Sequence, residues 1–174
     1  MLIFQDAEAL ARLDAEAIRA LTEAATKATF HRDELTAEQI AANRRVVEIS
    51  APTCIAAASA DRQMLAAAIV DGRFAGFVVA TAHSPDDREL DWLMVEPTYH
   101  GSNVAAGLMQ AGMNWLGTDR PMWLNVISYN DRAIRFYRRF GFEIDAASPI
   151  DRTVPHVIMR RIPDASRNRN GRTR

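Results

Sequence analysis

The stretch that decides the fold is LNVISYNDRAIRFYRRFGFE, residues 124–143. Its first residues continue an apolar run that begins at Met122, which predicts a strand over 122–127. Asn130 is a favoured helix N-cap, and Gly141 is a favoured residue just beyond a helix C-terminus. Between them, apolar residues recur at helical spacing. The stretch therefore predicts a strand, a helix with one apolar face and a following strand over 142–146.

A second informative segment lies upstream and reads VEPTYHGSNVAA, residues 95–106. It predicts a strand end, a polar loop and a helix start, where free backbone N–H groups and the helix dipole favour phosphate. Asn103 is expected to adopt a positive φ, which Asn tolerates better than most residues. Small Ala105 and Ala106 allow a ligand to approach the backbone. The alternative is a capped strand-to-helix connection without a ligand.

Together the two segments resemble the GNAT superfamily of acyl-CoA-dependent N-acyltransferases. The family pattern V-x-x-x-N-x-x-A-x-x-F-Y-x-x-x-G-F is matched by Val126, Asn130, Ala133, Phe136, Tyr137, Gly141 and Phe142. The family's phosphate loop, Q/R-x-x-G-x-G/A, falls on residues 100–105, where Ala105 fits while His100 and Asn103 depart from the pattern. The resemblance spans roughly residues 62–161. It implies a mixed α+β fold with a central, mostly antiparallel twisted sheet of about six or seven strands flanked by helices.

The resemblance also implies acetyl-CoA as co-substrate and assigns residues to bind it. The thioester carbonyl would lie against the backbone N–H of Val95 or Met94, and Asn130 would face the pantetheine arm. Phe136 and Tyr137 belong to the same implied binding set. The phosphates would lie over the loop and helix start, on His100, Gly101, Ser102, Asn103, Val104, Ala105 and Ala106.

Three residues are implied as catalytic. Tyr137 stands where many members keep the tyrosine that protonates the departing sulfur, although a core tyrosine on an apolar helix face is the simpler reading. Glu89 stands where some members carry a general base, and Asp91 lies on the same strand face by the two-residue period. Either could act directly or through water. With Asp86 and Asp87 they could instead form a solvated acidic cluster.

The N-terminal third is predicted to be helical after a short edge strand over Met1–Phe4. Asp6 is expected to cap a helical run that extends to Ala28, within which Asp14 could cap a second helix. Thr36 and Gln39 form a capping-box pattern for a helix through about residue 49. Pro52 then suits the first turn of a separate short helix that contains Cys54 to Ala58. These helices, residues 6–60, would shape the acceptor site together with a loop over 30–34.

The middle of the chain is predicted to be strands. Asp71-Gly72 joins apolar runs over 64–70 and 74–82 and is a strong hairpin signal. A third strand follows over 89–95, and strict alternation would place Glu89, Asp91 and Leu93 on one face and Leu90, Trp92 and Met94 on the other. A helix follows from Val104 to its expected C-cap at Gly117. A last strand is expected over 154–159.

The composition is that of a globular protein. The chain has 174 residues, of which 48% are hydrophobic and 25% charged, with a formal net charge of −1. One domain over residues 1–163 is expected, followed by a disordered basic tail over 164–174. Nucleic-acid binding through that tail is not favoured, because the tail is short and lacks aromatic residues.

Several function classes find no support in the sequence. No apolar stretch approaches the roughly 20 residues that a membrane span needs, and the first residues do not form a signal peptide, so a cytoplasmic location is expected. A single cysteine, Cys54, and four scattered histidines predict neither a disulfide nor a metal site. No Walker A or G-x-G-x-x-G motif occurs, so nucleoside triphosphates and dinucleotides are poorly supported.

The sequence thus predicts an N-acetyltransferase that moves an acetyl group from acetyl-CoA to a primary amine by direct attack in a ternary complex. The acceptor would be a small-molecule or peptide amine, and the acidic residues around Glu89 favour a cationic one. Neither a nucleic acid nor a membrane is an expected partner, and a homodimer is one option for the assembly. The alternative is a non-catalytic acyl-CoA-binding or sensor module with the same fold.

Overall fold

The structure is a computed structural model that describes residues 1–30, 35–150 and 152–163. Seven strands and five α-helices lie within these ranges. In chain order they are β1 (Leu2–Gln5), α1 (Asp6–Leu10), α2 (Ala15–Phe30), α3 (Ala37–Ala57), β2 (Gln63–Val70), β3 (Arg73–Ala82), β4 (Arg88–Val95), α4 (Val104–Leu116), β5 (Met122–Ile127), α5 (Asp131–Arg138), β6 (Glu143–Ile150) and β7 (His156–Arg161). A 3₁₀ turn over Pro97–Tyr99 joins β4 to α4. The expected tail over 164–174 and most of the loop over 30–34 lie outside the described residues.

The seven strands form one sheet in the order β1-β2-β3-β4-β5-β7-β6. Neighbouring strands are antiparallel, with the exception of the central pair β4 and β5, which is parallel. That pair is in register only at Glu89 and Trp123. The predicted mixed α+β fold with a mostly antiparallel sheet is therefore confirmed.

Helices cover both faces of the sheet, because β2 and β3 bury side chains on both of their faces. Met64, Ala66 and Val78 point into a core that they share with α4. The alternate residues of these strands, among them Leu65 and Phe77, point into a second core under α1, α2 and α3. Strands buried on two faces read as continuous apolar runs, which is the pattern that the sequence shows here.

Local signals in the sequence are confirmed where the decisive residues are neighbours. Asp71 and Gly72 have φ of 50° and 76°, as the tight β2–β3 hairpin requires. Both bonds of the capping box between Thr36 and Gln39 are present at the start of α3. Asp14 accepts from the backbone N–H of Ala17 at 2.6 Å and so caps α2.

Two predictions about the N-terminal helices are wrong. Gln5, not Asp6, is the N-cap of α1, because the Asp6 carboxylate instead accepts from the backbone N–H of Leu65 in β2 at 3.1 Å. Pro52 does not begin a new helix but lies inside the continuous α3. The buried residues Ala51 and Cys54 on either side of it pack into the second core, and this packing overrides the missing N–H of proline.

The predicted alternation along β4 is also wrong. The register shifts between Val79 and Ala80, which pair with Trp92 and Leu90, so that Asp91 is left without a partner residue in β3. Such a bulge reverses the side-chain alternation beyond it. Leu90 and Leu93 therefore pack against the α4 core, while Trp92 and Met94 face the N-terminal helices.

Candidate active site

A cleft opens where β4 and β5 diverge. The two strands are in register only near their N-terminal ends, at Glu89 and Trp123, and the space between their C-terminal halves forms a cavity of about 1030 Å³. The α4 start and the loop before it form one end of the cleft, and α5 forms part of its wall. Side chains of α2 and α3 and the carboxylates of β4 also line the cleft. The element order thus brings both segments selected from the sequence to one cavity.

The loop before α4 is shaped by Gly101 and Ser102. Gly101 has a φ of 83°, whereas Asn103 has a φ of −83°, so the expected positive φ at Asn103 is wrong. The Asn103 side chain makes no capping bond. Instead, Ser102 Oγ accepts from the backbone N–H of Val104 at 3.2 Å and donates to the carbonyl of Tyr99 at 2.6 Å. Glycine therefore provides the turn, and serine caps the helix.

Nearly all the residues expected to bind the cofactor line this cleft. From β4 and the α4 region these are Met94, Val95, His100, Gly101, Ser102, Asn103, Ala105 and Ala106, and from α5 and its cap Asn130, Phe136 and Tyr137. Val104 is the exception, since its side chain is buried in the α4 core. Asn130 also caps α5 through its Oδ1, which accepts from the N–H of Ala133 at 3.1 Å.

Glu89 is a buried carboxylate with two partners. Only 7% of the residue is exposed. His83 Nε2 lies 2.8 Å from its Oε2, and the Asn125 amide donates to its Oε1 at 3.3 Å. The His83 ring also stacks on Trp123, with centroids 6.2 Å apart. Both oxygens of Glu89 are therefore held by side chains that come from different parts of the sheet.

Asp91 lies in the same cleft in a different environment. Within the described ranges its carboxylate accepts no hydrogen bond. Burial, and next the nearby charge of Glu89, raise the pKa of Asp91 to about 6, against the smaller opposite effects of His83 and Arg152. Asp91 is therefore a carboxylate that binds a proton more readily than usual and has room for a new partner.

The other two acidic residues of the segment, Asp86 and Asp87, are exposed and do not line the cleft. Asp87 accepts from the indole N–H of Trp123 at 2.7 Å. The alternative of a solvated acidic cluster thus describes these two residues, but it does not describe Glu89 and Asp91.

Tyr137 belongs to the core and to the cleft at once. Its ring packs edge-on against Phe136 at a centroid distance of 5.4 Å and lies 6.4 Å from that of Phe142. Burial raises the pKa of the Tyr137 hydroxyl to about 12, so the group stays protonated at neutral pH. It can donate a hydrogen bond or a proton into the cleft.

Sequence reasoning missed several residues of the site. Thr26 and Thr29 of α2 and Val46 and Ile49 of α3 form a further wall of the cleft. Both threonine hydroxyls donate to carbonyls of their own helix. Further cleft residues that were not selected are Trp123, Asn125, Arg132, Arg139, Arg152 and His156. Thr26, Thr29, Val46, Ile49, Arg152 and His156 come from elements that only the fold brings to the cleft, whereas Trp123, Asn125, Arg132 and Arg139 lie in or beside the 124–143 stretch, outside the seven positions of the family pattern.

Within residues 1–30, 35–150 and 152–163, no group of three or more His, Cys, Asp or Glu side chains is arranged to hold a metal ion. In the same ranges no helix has the length and apolar character that crossing a bilayer requires. Cys54 is buried, and burial raises the pKa of its thiol to about 12.

Comparison with known families agrees with this geometry. Residues 18–142 match the family described as acetyltransferase (GNAT). The chain belongs to this family. The GNAT match includes β4, the loop before α4 and α5, and it ends at Phe142, before the cleft residues Arg152 and His156.

Related sequences cover only part of this GNAT chain. Uncharacterized N-acetyltransferases of Mycobacterium tuberculosis and Mycobacterium bovis are 38% identical to it over 88 residues. The aligned part is 48% of this chain and 55% of those proteins. The chain thus spans about half the length of the curated relatives that it matches.

Solved structures share the fold. The PaiA N-acetyltransferase of Thermoplasma acidophilum, in complex with coenzyme A, is similar with a TM-score of 0.73 at 17% identity, over 93% of this chain and 99% of that one. A putative streptothricin acetyltransferase of Bacillus anthracis, in complex with acetyl coenzyme A, has a TM-score of 0.52 at 18% identity, over 61% and 65% of the two chains.

Proposed function

We propose that this GNAT chain transfers an acetyl group from acetyl-CoA to a primary amine by direct attack in a ternary complex. One observation carries the proposal: a single cleft has backbone donors of a glycine loop and helix start at one end and two carboxylates at the other. The first is suited to a phosphate group, and the second to an amine. Family membership and the CoA-bound structures of similar fold support the choice of cofactor.

The proposed position of acetyl-CoA follows the length of the cleft. Its phosphates lie over residues 100–106, and its pantetheine arm passes Asn130 between the diverging strands. The thioester carbonyl accepts a hydrogen bond from the backbone N–H of Met94 or Val95. A donor held there stabilises the negative charge that develops on this oxygen during attack.

The reaction then needs one base and one acid. The amine nitrogen attacks the thioester carbon and forms a C–N bond, and its surplus proton goes to a carboxylate. The C–S bond then breaks, and the leaving sulfur takes the proton of the Tyr137 hydroxyl. The protons return through solvent, so the products are the acetylated amine and free CoA. Cys54 does not suit a covalent route, because its buried thiol stays protonated.

Between the two carboxylates, we assign the base to Asp91. Glu89 already accepts from His83 and Asn125. Asp91 accepts from no described residue, and a carboxylate with a pKa of about 6 is ionised at neutral pH and still basic enough to take a proton. Glu89 then acts as the fixed charge that helps to raise the pKa of Asp91.

The acceptor enters beside the N-terminal helices in this proposal. The wall formed by α2 and α3 lies in the same cleft as the carboxylates. Val46 and Ile49 give this wall aliphatic surface, and its threonine hydroxyls already donate to their own helix. An amine with an aliphatic body fits this environment, with its nitrogen toward Asp91.

The second candidate, an acyl-CoA-binding module without turnover, is favoured only by the unusual His100 and Asn103 in the loop. The release of free thiol from acetyl-CoA with a panel of primary amines separates the two functions. Turnover with at least one amine is expected. Tight acetyl-CoA binding with no thiol release by any amine in the panel would favour the module.

A matched pair of variants tests the position of the cofactor. Ala105→Glu places a carboxylate and a larger side chain where the phosphates are expected, so acetyl-CoA binding should weaken by at least about tenfold in calorimetry. Gln110→Glu adds the same charge on an exposed position of the same helix outside the cleft and should bind normally. Equal affinities in the two variants would contradict the proposed position.

A further inference from the structure

The segment expected to hold the cofactor phosphates has little positive charge of its own. Residues 96–106 contain neither lysine nor arginine, and their one acidic residue is Glu96. Glu96 is occupied locally, since its carboxylate accepts from the backbone N–H of Thr98 at 2.9 Å. A diphosphate is an anion, and backbone donors satisfy its oxygens without balancing the charge. A cationic side chain from another element would complete such a site.

Arg132, in the first turn of α5, reaches this segment. Its Nη1 donates to His100 Nδ1 at 2.7 Å, across 32 positions of sequence, and its side chain lines the cleft. Two other arginines line the cleft elsewhere. Arg139 lies over the Phe136 ring at 5.3 Å from its centroid, and the charge of Arg152 lowers the pKa of Asp91. Among the described residues, Arg132 is therefore the cation hydrogen-bonded to the loop.

His100 is in the right protonation state to hold Arg132. Desolvation, and next the positive charge of Arg132, lower the pKa of His100, against a hydrogen bond with the Val95 backbone and the charge of Glu96. A neutral imidazole has one acceptor nitrogen, which Arg132 uses, and one N–H for a backbone carbonyl. The ring thus connects the end of β4 to the first turn of α5 across the mouth of the cleft.

The guanidinium has donors left for a ligand. Arginine carries five N–H donors in a planar fork, and a phosphate group can accept two of them at once. The hydrogen bond to His100 uses one. The same hydrogen bond holds the guanidinium next to His100, in the loop where the phosphate oxygens of acetyl-CoA are expected, and Arg132 lines the same cleft as that loop.

We infer that Arg132, held in place by His100, binds the diphosphate of coenzyme A and supplies the positive charge that the loop itself lacks. The inference rests on the proposed function, since it assumes coenzyme A in the cleft. It assigns Arg132 as a cofactor-binding residue and His100 as the residue that positions it. It also assigns a role to His100, which stands at a loop position where the family pattern has Gln or Arg.

The test compares Arg132→Gln with Arg135→Gln by calorimetry. Arg135 lies one turn further along α5, is exposed and does not line the cleft, so its substitution removes the same charge from the same helix. Arg132→Gln should weaken coenzyme A binding by about tenfold to a hundredfold, as expected for the loss of a charge-assisted hydrogen bond to phosphate. Arg135→Gln should change it by less than about twofold, because a surface charge at that distance is screened.

Two further ligands identify the phosphate group. With 3′-dephospho-CoA the loss in Arg132→Gln should be as large as with coenzyme A, and with S-acetylpantetheine, which has no phosphate, the loss should disappear. A loss confined to coenzyme A would mean that Arg132 contacts the 3′-phosphate, and it would overturn the inference. So would equal binding by the Arg132→Gln and Arg135→Gln variants.

A double-mutant cycle tests the part of His100. His100→Ala should weaken coenzyme A binding when Arg132 is present and should have little further effect in the Arg132→Gln background. Additive losses would show that His100 acts on its own. If the unaltered protein fails to bind coenzyme A, the proposed function falls with the inference. If it binds well and Arg132→Gln binds equally well, only the inference falls.

Discussion

The hydroxyl of Tyr137 can be tested apart from its ring. Because the ring packs against Phe136 and Phe142, Tyr137→Phe keeps these contacts and removes only the proposed acid. We expect unchanged near-UV circular dichroism and unchanged acetyl-CoA affinity, with a kcat lowered by at least tenfold, since general acid catalysis contributes about 10² to 10⁴-fold. A wild-type kcat measured where chemistry limits turnover would return Tyr137 to a purely structural role.

The ionisation of Asp91 should determine how the rate of acetyl transfer falls at acidic pH. A base must be ionised to act, and the pKa of Asp91 is raised to about 6, so kcat should fall as the pH drops through that value. Asp91→Asn should remove most of the activity at every pH. Glu89→Gln should keep measurable activity and move this fall in kcat to lower pH, because the Glu89 charge is one cause of the raised pKa.

The opposite result for these two variants would reassign the base. If Glu89→Gln abolishes turnover and Asp91→Asn leaves a normal fall in kcat at acidic pH, then Glu89 takes the proton and the bonds from His83 and Asn125 serve to orient it. Thermal unfolding of both variants controls for loss of structure.

At the residue scale, the sequence identified side chains that line the cleft but not their contacts. Glu89, Asp91 and Tyr137 were selected and all line the cleft. Their partners were not, because His83 and Asn125 meet at Glu89 only after the sheet has formed. The positive φ expected at Asn103 occurs at Gly101, since a flanking glycine adopts that conformation with less strain.

At the scale of elements, the close approach of β3 and β4 depends on Gly76, which has no side chain. A Cβ added at Gly76 would lie 2.6 Å from the backbone oxygen of Met94 and 3.0 Å from Leu108 Cδ1. Gly76→Ala should therefore push β4 outward, lower the free energy of unfolding by about 1 to 3 kcal/mol and weaken acetyl-CoA binding. Urea unfolding and calorimetry measure the two effects.

Gly112→Ala is the matched control for this substitution. Its added Cβ would also lie 2.6 Å from an atom, but that atom is Leu90 Cδ2 at the end of a flexible side chain. The residue lies in α4, where alanine is a better helix former than glycine by about 1 kcal/mol. We expect a smaller loss of stability than in Gly76→Ala and no change in cofactor affinity. Equal effects would show that the β3–β4 spacing does not control the cleft.

Elements whose signals are local were predicted well, and those that depend on packing were not. The β2–β3 hairpin and the cap of α5 follow from residues next to each other in sequence. The break expected at Pro52 did not occur, because burial on both sides of it keeps α3 continuous. The bulge at Asp91 could not be predicted, since it is set by the pairing of β4 with β3.

At the scale of the whole molecule, the part of the cleft around Asp91 carries more negative than positive charge within the residues that the structure describes. Glu89 and Asp91 line it, and Arg152 is the nearby cation that acts on Asp91. A diamine should therefore have a higher kcat/KM than an amino acid of matched length, and added salt should reduce this advantage. Comparison at two ionic strengths checks this. A preference for the amino acid, or no salt effect on either, would contradict it.

The single paired position between β4 and β5 also has a consequence for how the sheet opens. It leaves β1 to β4 and β5, β7 and β6 as two leaves, each with its own antiparallel ladder. Amide hydrogen exchange should then report two units of different protection rather than one cooperative sheet. A ligand lying between the leaves touches both, so it should slow amide exchange in β5 and β7 as well as in β4. With the ligand bound, the two leaves should then exchange as one cooperative unit.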